Sequence, residues 1–264
     1  MSQAFKDLRN IALLGHGGSG KTSLAEAILF KAGVTNRMGR VEEGNTIMDF
    51  EPEELKRNTS ISSGFCQYTW KKHTVNLIDT PGDQNFFSDT KLSMQAADGA
   101  VLLVDAVDGV KVQTEQAWDF ATDLDMPCAL FINKLDRERA DFSRTLQDIS
   151  DCLDLKPITL HLPIGKEENF KGIVDLVSMK SYLYDKDGKV TRGDIPEDMQ
   201  DQVESEKEKL IEDVAEADDA LIERYLEGET LSDDDIKTAL KKGFLSRTFV
   251  PVLCGAAVKN IGID

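Results

Sequence analysis

The fold of this chain is decided by the stretch IALLGHGGSGKTSLAEAILF, which runs from Ile11 to Phe30. An apolar run ends in a glycine-rich segment, Gly15 to Thr22, and a helix pattern opens at Ser23. The spacing G-x-x-x-x-G-K-T between a strand and a helix is the phosphate-loop pattern of nucleotide-binding proteins. Backbone N–H groups of such a loop point inward to hold phosphate oxygens, and its glycines let the chain curl tightly. The stretch therefore predicts a nucleoside triphosphate site without naming the base.

Individual roles follow from this pattern. Lys21 is predicted to lie along the β- and γ-phosphates, and the hydroxyl of Thr22 is predicted to ligate Mg²⁺. A second turn, after the apolar run TVNLID, is expected to bring Gly82 to the same phosphates. The predicted phosphate-binding residues are Gly15, His16, Gly17, Gly18, Ser19, Gly20, Lys21, Thr22, Ser23 and Gly82.

The rest of the first half repeats short apolar runs separated by helical patterns, from Asn10 to Asn133. Continuous Val, Ile and Leu runs of this kind are typical of parallel strands that crossover helices bury on both faces. The predicted class is therefore α/β: a P-loop NTPase with a doubly wound, mostly parallel sheet and an inserted α+β subdomain. The polar segment from Thr35 to Ser63 has no clear period, and a loop of that length in a compact domain is usually functional.

The composition changes in the second half of the chain. Residues 158–245 contain an alternating run, GIVDLVSMKSYLYD, and then a pattern that predicts one long acidic helix. Ser232 and Asp235 have the spacing of a capping box that opens a second, short helix. We therefore predict a core of residues 1–157 and 246–264, interrupted by an acidic subdomain of residues 158–245. The last helix of such a core is missing, so we expect the chain to be a fragment of a longer multidomain factor.

Charge and cysteine usage restrict the partners and the compartment. The chain has 264 residues, with 31 Lys and Arg against 48 Asp and Glu, which gives a net charge of -17. This balance disfavours a broad basic face, so we expect little direct nucleic-acid binding by this domain. No apolar run is long enough for a membrane span, and the four cysteines lack C-x-x-C spacing. The sequence favours a cytoplasmic location.

A second motif names the base. The sequence NKLD places Asn133, Lys134 and Asp136 at the end of a predicted strand, at the sheet edge where doubly wound folds bind ligands. A carboxylate there accepts two hydrogen bonds from guanine N1–H and its exocyclic amine, which adenine cannot supply. Asp79 ends its own strand and is predicted to face Mg²⁺. The predicted ligands are therefore GTP or GDP with Mg²⁺.

With these motifs in place, the chain resembles the GTP-binding domain of translational GTPases, and specifically elongation factor G. The resemblance also covers LPIGKEENFKGIVDLVSMKSYLY in the predicted insertion and PVLCGAAVKNIG near the end of the chain. It implies that Gly255, Ala256 and Ala257 form the last guanine-contacting loop, with the Ala256 backbone N–H reaching guanine O6. It implies the ribosome as a partner, met by the full-length protein, and a ribosomal stalk protein as a partner of the acidic subdomain.

Several positions depart from the family pattern. Ser60 takes the place of the threonine that ligates Mg²⁺ in the first switch, and its hydroxyl preserves that role. Thr59 replaces an apolar gate residue, and Asn58 replaces a glycine. Asp83 stands where the family has the histidine that orients the attacking water. The groups that hold phosphate, Mg²⁺ and guanine are thus kept or changed conservatively, whereas the gate and the water-positioning histidine are lost.

The replacement at Asp83 has an electrostatic cost. A carboxylate about 4 Å from a phosphate oxygen would cost roughly 4 kcal/mol at an effective dielectric constant near 20. We therefore expect Asp83 to point away from the γ-phosphate or to need a cation there. Asp83 and Gln84 are the candidate catalytic residues, although Gln84 lies one residue late for a water-orienting glutamine. Hydrolysis is expected to be slow alone and to depend on the ribosome.

Three other functions remain open on the sequence. The chain could be a non-hydrolysing GTP-binding regulator, for which Asp83 is the supporting feature. It could instead be a scaffold that docks on the ribosome through its acidic subdomain. An adenine-nucleotide enzyme is the most distant alternative, because it would leave Asp136 without a role.

Overall fold

The computed structural model describes residues 7–185, 188–216, 219–227, 229 and 231–264. The strand β1 (Leu8–Leu14) and the helix α1 (Lys21–Lys31) flank the glycine-rich loop. The polar segment that follows contains only a 3₁₀ turn, Val41–Glu43, and the short helix α2 (Pro52–Arg57). Strand and helix thus lie on the two sides of the loop, as the sequence predicts.

The strands after this segment complete the first half of a central sheet. They are β2 (Gly64–Trp70), β3 (His73–Asp79), β4 (Gly99–Asp105) and β5 (Cys128–Asn133). The helices between them are α3 (Phe87–Met94) and α4 (Val112–Asp123), and α5 (Phe142–Leu153) follows β5. In the described chain the sheet has seven strands, in the order β2, β3, β1, β4, β5, β11 (Val250–Cys254) and β6 (Pro157–Thr159).

Pairing in this sheet is parallel except at one edge. β1 pairs in parallel with β3 and β4, β4 pairs with β5, and β11 pairs with β5 and β6, whereas β2 runs antiparallel to β3. Leu13 and Leu14 of β1 and Leu102 and Leu103 of β4 are fully buried on the two faces of the sheet. The predicted α/β P-loop fold is confirmed.

A second sheet of four antiparallel strands lies outside the central one. It has the order β10 (Val190–Gly193), β9 (Lys180–Tyr184), β8 (Gly172–Asp175) and β7 (His161–Ile164). Three helices follow it: α6 (Gln200–Ala215), α7 (Asp219–Leu226) and α8 (Asp233–Leu245). A separate hydrophobic cluster joins this sheet to the helices through residues such as Val174, Val203, Val214 and Ile236. The region therefore has buried apolar contacts of its own.

This region differs from the prediction in two details. The single long acidic helix is wrong, because α6 ends at Ala215 and α7 begins at Asp219, with residues 217 and 218 outside the described part of the chain. Ile158, where the insertion is predicted to begin, lies in β6 and pairs with Pro251 in the central sheet. The capping box of α8 is present: the Ser232 hydroxyl accepts from the Asp235 N–H and the Asp235 carboxylate accepts from the Ser232 N–H. The division into core and inserted subdomain stays a prediction.

Among the described helices, none combines the length and the apolar character needed to cross a bilayer.

Candidate nucleotide site

One cavity lies at the carboxyl ends of the central strands. Its volume is about 240 Å³. The loop between β1 and α1 forms one wall. The first-switch segment, Met48 to Ser63, forms the second, and the turns after β5 and β11 form the third. The predicted residues that line it are Gly17, Gly18, Gly20, Lys21, Thr22, Ser23, Ser60, Gly82, Asn133, Lys134, Asp136 and Ala257. The structure thus brings the phosphate, metal and guanine motifs to one place.

The glycines of the loop hold conformations and close contacts that other residues would not. Gly18 and Gly20 have φ values of 85° and 94°, in the left-handed region that favours glycine. A Cβ atom at Gly20 would collide with the Asn133 amide, and one at Gly82 would collide with Lys21 Nζ. Glycine is therefore required at Gly20 and Gly82 by the close approach of Asn133 and Lys21.

Lys21 and Asp79 form a buried pair of opposite charge behind this loop. Lys21 Nζ donates to the carbonyl oxygens of Gly15 at 2.9 Å and His16 at 3.0 Å. Burial lowers the pKa of the Lys21 ammonium and raises the pKa of the Asp79 carboxyl, and the attraction between the two charges opposes both shifts. Lys21 is thereby held in one position by the loop that it serves.

Four oxygen-bearing side chains meet beside Lys21. The Ser60 hydroxyl donates to Asp49 Oδ1 at 2.7 Å, and the Thr22 hydroxyl lies beside it. The two hydroxyl oxygens lie 3.1 Å apart. Since the Ser60 proton is directed at Asp49, Thr22 is the donor in this contact. The lone pairs of the Thr22 oxygen and the remaining lone pair of the Ser60 oxygen can therefore face a cation.

A second feature of these oxygen-bearing side chains suits a metal ion. Asp79 Oδ1 is buried and has no hydrogen-bond partner among the described residues. Buried polar atoms without a partner are rare and need an explanation, and coordination of an ion is one of them. Two hydroxyls and two carboxylates are a hard oxygen set that suits Mg²⁺. Thr22, Ser60 and Asp79 therefore fit the predicted metal site.

Asp49 was missed by the sequence reasoning. It is 4% exposed, lines the cavity and orients the hydroxyl of Ser60. Burial raises the pKa of its carboxyl, and the hydrogen bond from Ser60 opposes that shift. An acid between Met48 and Phe50 was the only available signal, and nothing in the polar segment tied it to Ser60.

The turn before Ser60 explains one departure from the family pattern. Asn58 ends α2 with a φ of 51°, in the left-handed region. Asparagine tolerates that region better than most residues with a side chain, so it can replace the glycine of the family. The neighbouring Thr59 lines the cavity.

The three residues predicted to contact guanine, Asn133, Lys134 and Asp136, all line the cavity. The Asn133 amide donates to the Ser19 carbonyl at 2.9 Å and accepts from the Ala257 N–H at 3.0 Å, so it joins the two neighbouring loops. Lys134 Nζ lies 2.6 Å from the Asp105 carboxylate. Asp136 lines the cavity, with Lys259 Nζ 3.4 Å away. The carboxylate of Asp136 is therefore within the cavity where a base can meet it.

The last loop differs from the prediction. Gly255 and Ala256 are buried and do not line the cavity. The Ala256 N–H, predicted to reach guanine O6, donates instead to the Ile261 carbonyl at 3.0 Å. The prediction for this N–H is therefore corrected: the loop closes on itself, and Ala257 and Val258 are the residues that it presents to the cavity.

Three residues of the phosphate loop also lie behind the cavity wall. Gly15, His16 and Ser19 do not line it, and their side chains or carbonyls support the loop instead. His16 is 5% exposed and lies 3.4 Å from the Thr114 hydroxyl. Burial, helped by the nearby Lys21, lowers the pKa of His16 to about 4. The imidazole is therefore neutral at physiological pH.

The two candidate catalytic residues lie outside the cavity as well. Asp83 Oδ1 accepts from the Asn85 backbone N–H and from the Asn85 amide, both at 2.8 Å, and it caps the 3₁₀ turn Gln84–Phe86. Gln84 faces another cleft, between α3 and α4, with Phe87, Lys91 and Phe120. Neither residue is among those that line the nucleotide cavity.

Comparisons with known proteins agree with this geometry. The model of the elongation factor Tu GTP binding domain family matches residues 6–264. The chain is also similar to a protein of Thermus thermophilus of known crystal structure, at 33% identity and a TM-score of 0.91. That match covers 97% of this chain and 38% of the other, so this chain spans less than half of the relative's length. Since the family model covers nearly the whole chain, the chain belongs to the family of elongation factor Tu GTP-binding domains.

Proposed function

We propose that this chain is the GTP-binding domain of an elongation factor G-like translational GTPase that acts on the ribosome in the cytoplasm. The single observation that carries the proposal is the cavity that joins Lys21, the hydroxyl pair of Thr22 and Ser60, and Asp136. GTP and GDP are its ligands, together with Mg²⁺.

The residues divide the work of binding. Lys21 and the loop N–H groups hold the phosphates, and Asp136 reads the guanine N1–H and amine. Thr22, Ser60 and Asp79 would hold Mg²⁺, which would neutralise charge on the phosphate oxygens. Asp49 accepts a hydrogen bond from the Ser60 hydroxyl and so orients that hydroxyl.

Hydrolysis by the domain alone is expected to be slow. Asp83 is engaged by Asn85, and Gln84 faces the cleft between α3 and α4, so neither is placed to position water in the cavity. A group supplied by the ribosome would then complete the site. Translocation, ribosome recycling and a specialised paralogue role all fit this account.

Single-turnover GTP hydrolysis by the full-length protein, with and without ribosomes, tests the proposal. The expected result is fast turnover only with ribosomes. Fast turnover without ribosomes would overturn the ribosome dependence.

The placement of Asp83 and Gln84 also favours a second function, a regulator that binds GTP without cleaving it. In that case wild type would stay inactive on ribosomes, and Asp83→His would gain turnover. The same assay therefore separates the two functions.

A further inference from the structure

Glu54 makes an unusual set of contacts within the first-switch segment. It lies on α2 and is 1% exposed. Its Oε2 accepts from the N–H groups of Phe50 at 3.1 Å and Glu51 at 2.9 Å. Its Oε1 accepts from the N–H groups of Ile61 at 2.8 Å and Ser62 at 3.0 Å. One buried carboxylate therefore ties together the two stretches on either side of α2.

These stretches carry the two groups that face the metal site. Ile61 and Ser62 directly follow Ser60, and Phe50 directly follows Asp49. The Glu54 carbonyl oxygen also accepts from the Thr59 N–H at 3.2 Å. Glu54 thus fixes the backbone beside both partners of the 2.7 Å hydrogen bond between Ser60 and Asp49.

A second carboxylate continues this arrangement on α3. Asp89 Oδ2 accepts from the Ser63 N–H at 2.6 Å and from the Ser63 hydroxyl at 2.7 Å. The three backbone N–H groups after Ser60 are therefore all held by carboxylates, two by Glu54 and one by Asp89. Charge-assisted hydrogen bonds of this kind are stronger than neutral ones, so the segment is well fixed.

We propose that Glu54 is a positioning residue that sets the preference of this domain for GTP over GDP by holding Ser60 at the metal site. This inference rests on the proposed function. The four hydrogen bonds of the Glu54 carboxylate join two parts of the segment to each other, so much of the entropy cost of ordering the segment is met during folding. GTP, whose γ-phosphate and Mg²⁺ would use the Ser60 hydroxyl, then binds without a further entropy cost for ordering this segment.

The test compares Glu54→Gln with Glu53→Gln, a matched change at an exposed position of the same helix. The Gln amide turns one acceptor oxygen into a donor that faces two N–H groups, so at least two of the four bonds are lost. Affinities for GDP and for a non-hydrolysable GTP analogue are measured with Mg²⁺. We expect Glu54→Gln to lower the ratio of GTP-analogue to GDP affinity about fivefold, and Glu53→Gln to leave it unchanged.

A purely structural role would give another result, because general destabilisation weakens both nucleotides equally. Equal losses for GTP analogue and GDP, or no loss, would overturn the role of Glu54. The rate of amide hydrogen exchange at Ile61 and Ser62 is an independent measure of how firmly the segment is held. This rate should rise in Glu54→Gln and stay unchanged in Glu53→Gln. If Glu54→Gln does not fold, Asp89→Asn takes its place, with the same direction expected. A wild-type chain that binds neither nucleotide would instead refute the proposed function.

Discussion

The first and second switch segments of this domain are built differently. The first, around Ser60, is held internally by the carboxylates of Asp49 and Glu54. Its ends are joined to α1 by Glu26 and to α3 by Asp89, which accept from the N–H groups of Met48 and Ser63. The second, around Asp83, is held by a local contact with Asn85. The difference teaches that the segment we propose to sense the metal and phosphates is held by many contacts, whereas Asp83 and Gln84 do not line the cavity.

The largest expected effect is on Lys21. Lys21→Ala removes the buried ammonium that is predicted to meet the β- and γ-phosphates, and it leaves Asp79 without its counter-charge. We expect GTP affinity to fall by about a hundredfold or more, from the loss of charge-assisted hydrogen bonds. Asp83→Ala, in the second switch, should change the affinity less than about twofold. Equilibrium binding of a fluorescent GTP analogue to both variants makes the comparison, and equal effects would remove the contrast between the two regions.

Asp136→Asn is expected to change the base preference. The amide cannot accept both hydrogen bonds from guanine, but it can donate to the 2-oxo group of xanthine. We expect GTP affinity to fall by about a hundredfold while affinity for xanthosine triphosphate rises. The exposed Asp123→Asn is the control. An unchanged preference would mean that Asp136 does not read the base.

A smaller effect is expected at Asp49. Asp49→Asn weakens the acceptor that orients the Ser60 hydroxyl, and changes beside a metal ligand typically cost about 10-fold or more in metal affinity. We expect the Mg²⁺ concentration needed for half-maximal GTP binding to rise about tenfold. The exposed Glu53→Gln should leave it unchanged. A requirement unaltered in Asp49→Asn would place this residue outside the metal site.

The smallest effect concerns pH and His16. The folded-state pKa of His16 is about 4, below its ordinary value, so the unfolded chain takes up the proton first as the pH falls. Stability is therefore lost between about pH 6.5 and pH 4, with about 1 kcal/mol lost by pH 5.5. Urea unfolding at pH 7.5 and pH 5.5 measures it. His16→Gln should remove this part of the dependence and leave the part due to His161, whose pKa burial also lowers to about 4. The exposed His73→Gln should keep both parts.

How far the sequence predicts this site depends on whether the residues are contiguous. The loop from Gly15 to Thr22 and the NKLD motif each lie at a strand end, so the order of strands alone brings them together. Asp49 and Glu54 could not be predicted, because their contacts depend on how a polar segment without periodicity folds. The hydrogen bond from the Ala256 N–H to the Ile261 carbonyl could not be predicted for a related reason, because it depends on a turn that the sequence pattern does not specify.

The fold differs from the prediction where the sequence pattern marks no boundary. Val214 and Leu221 have the spacing of one continuous helix face, so the pattern hid the break between α6 and α7. The start of the insertion was ambiguous for another reason. Pro157, Ile158 and Thr159 form a strand of only three residues, which joins the central sheet through β11.

The contrast between the two switches is tested most directly by GTP hydrolysis in the isolated domain. Wild type and Asp83→His would be saturated with GTP and Mg²⁺ and followed through a single turnover, with GTP binding measured in the same samples. The account predicts that both proteins bind GTP with similar affinity and that wild type turns over very slowly. Rapid hydrolysis by the wild-type domain in the absence of ribosomes would contradict the account, because the cavity would then contain a group able to position water.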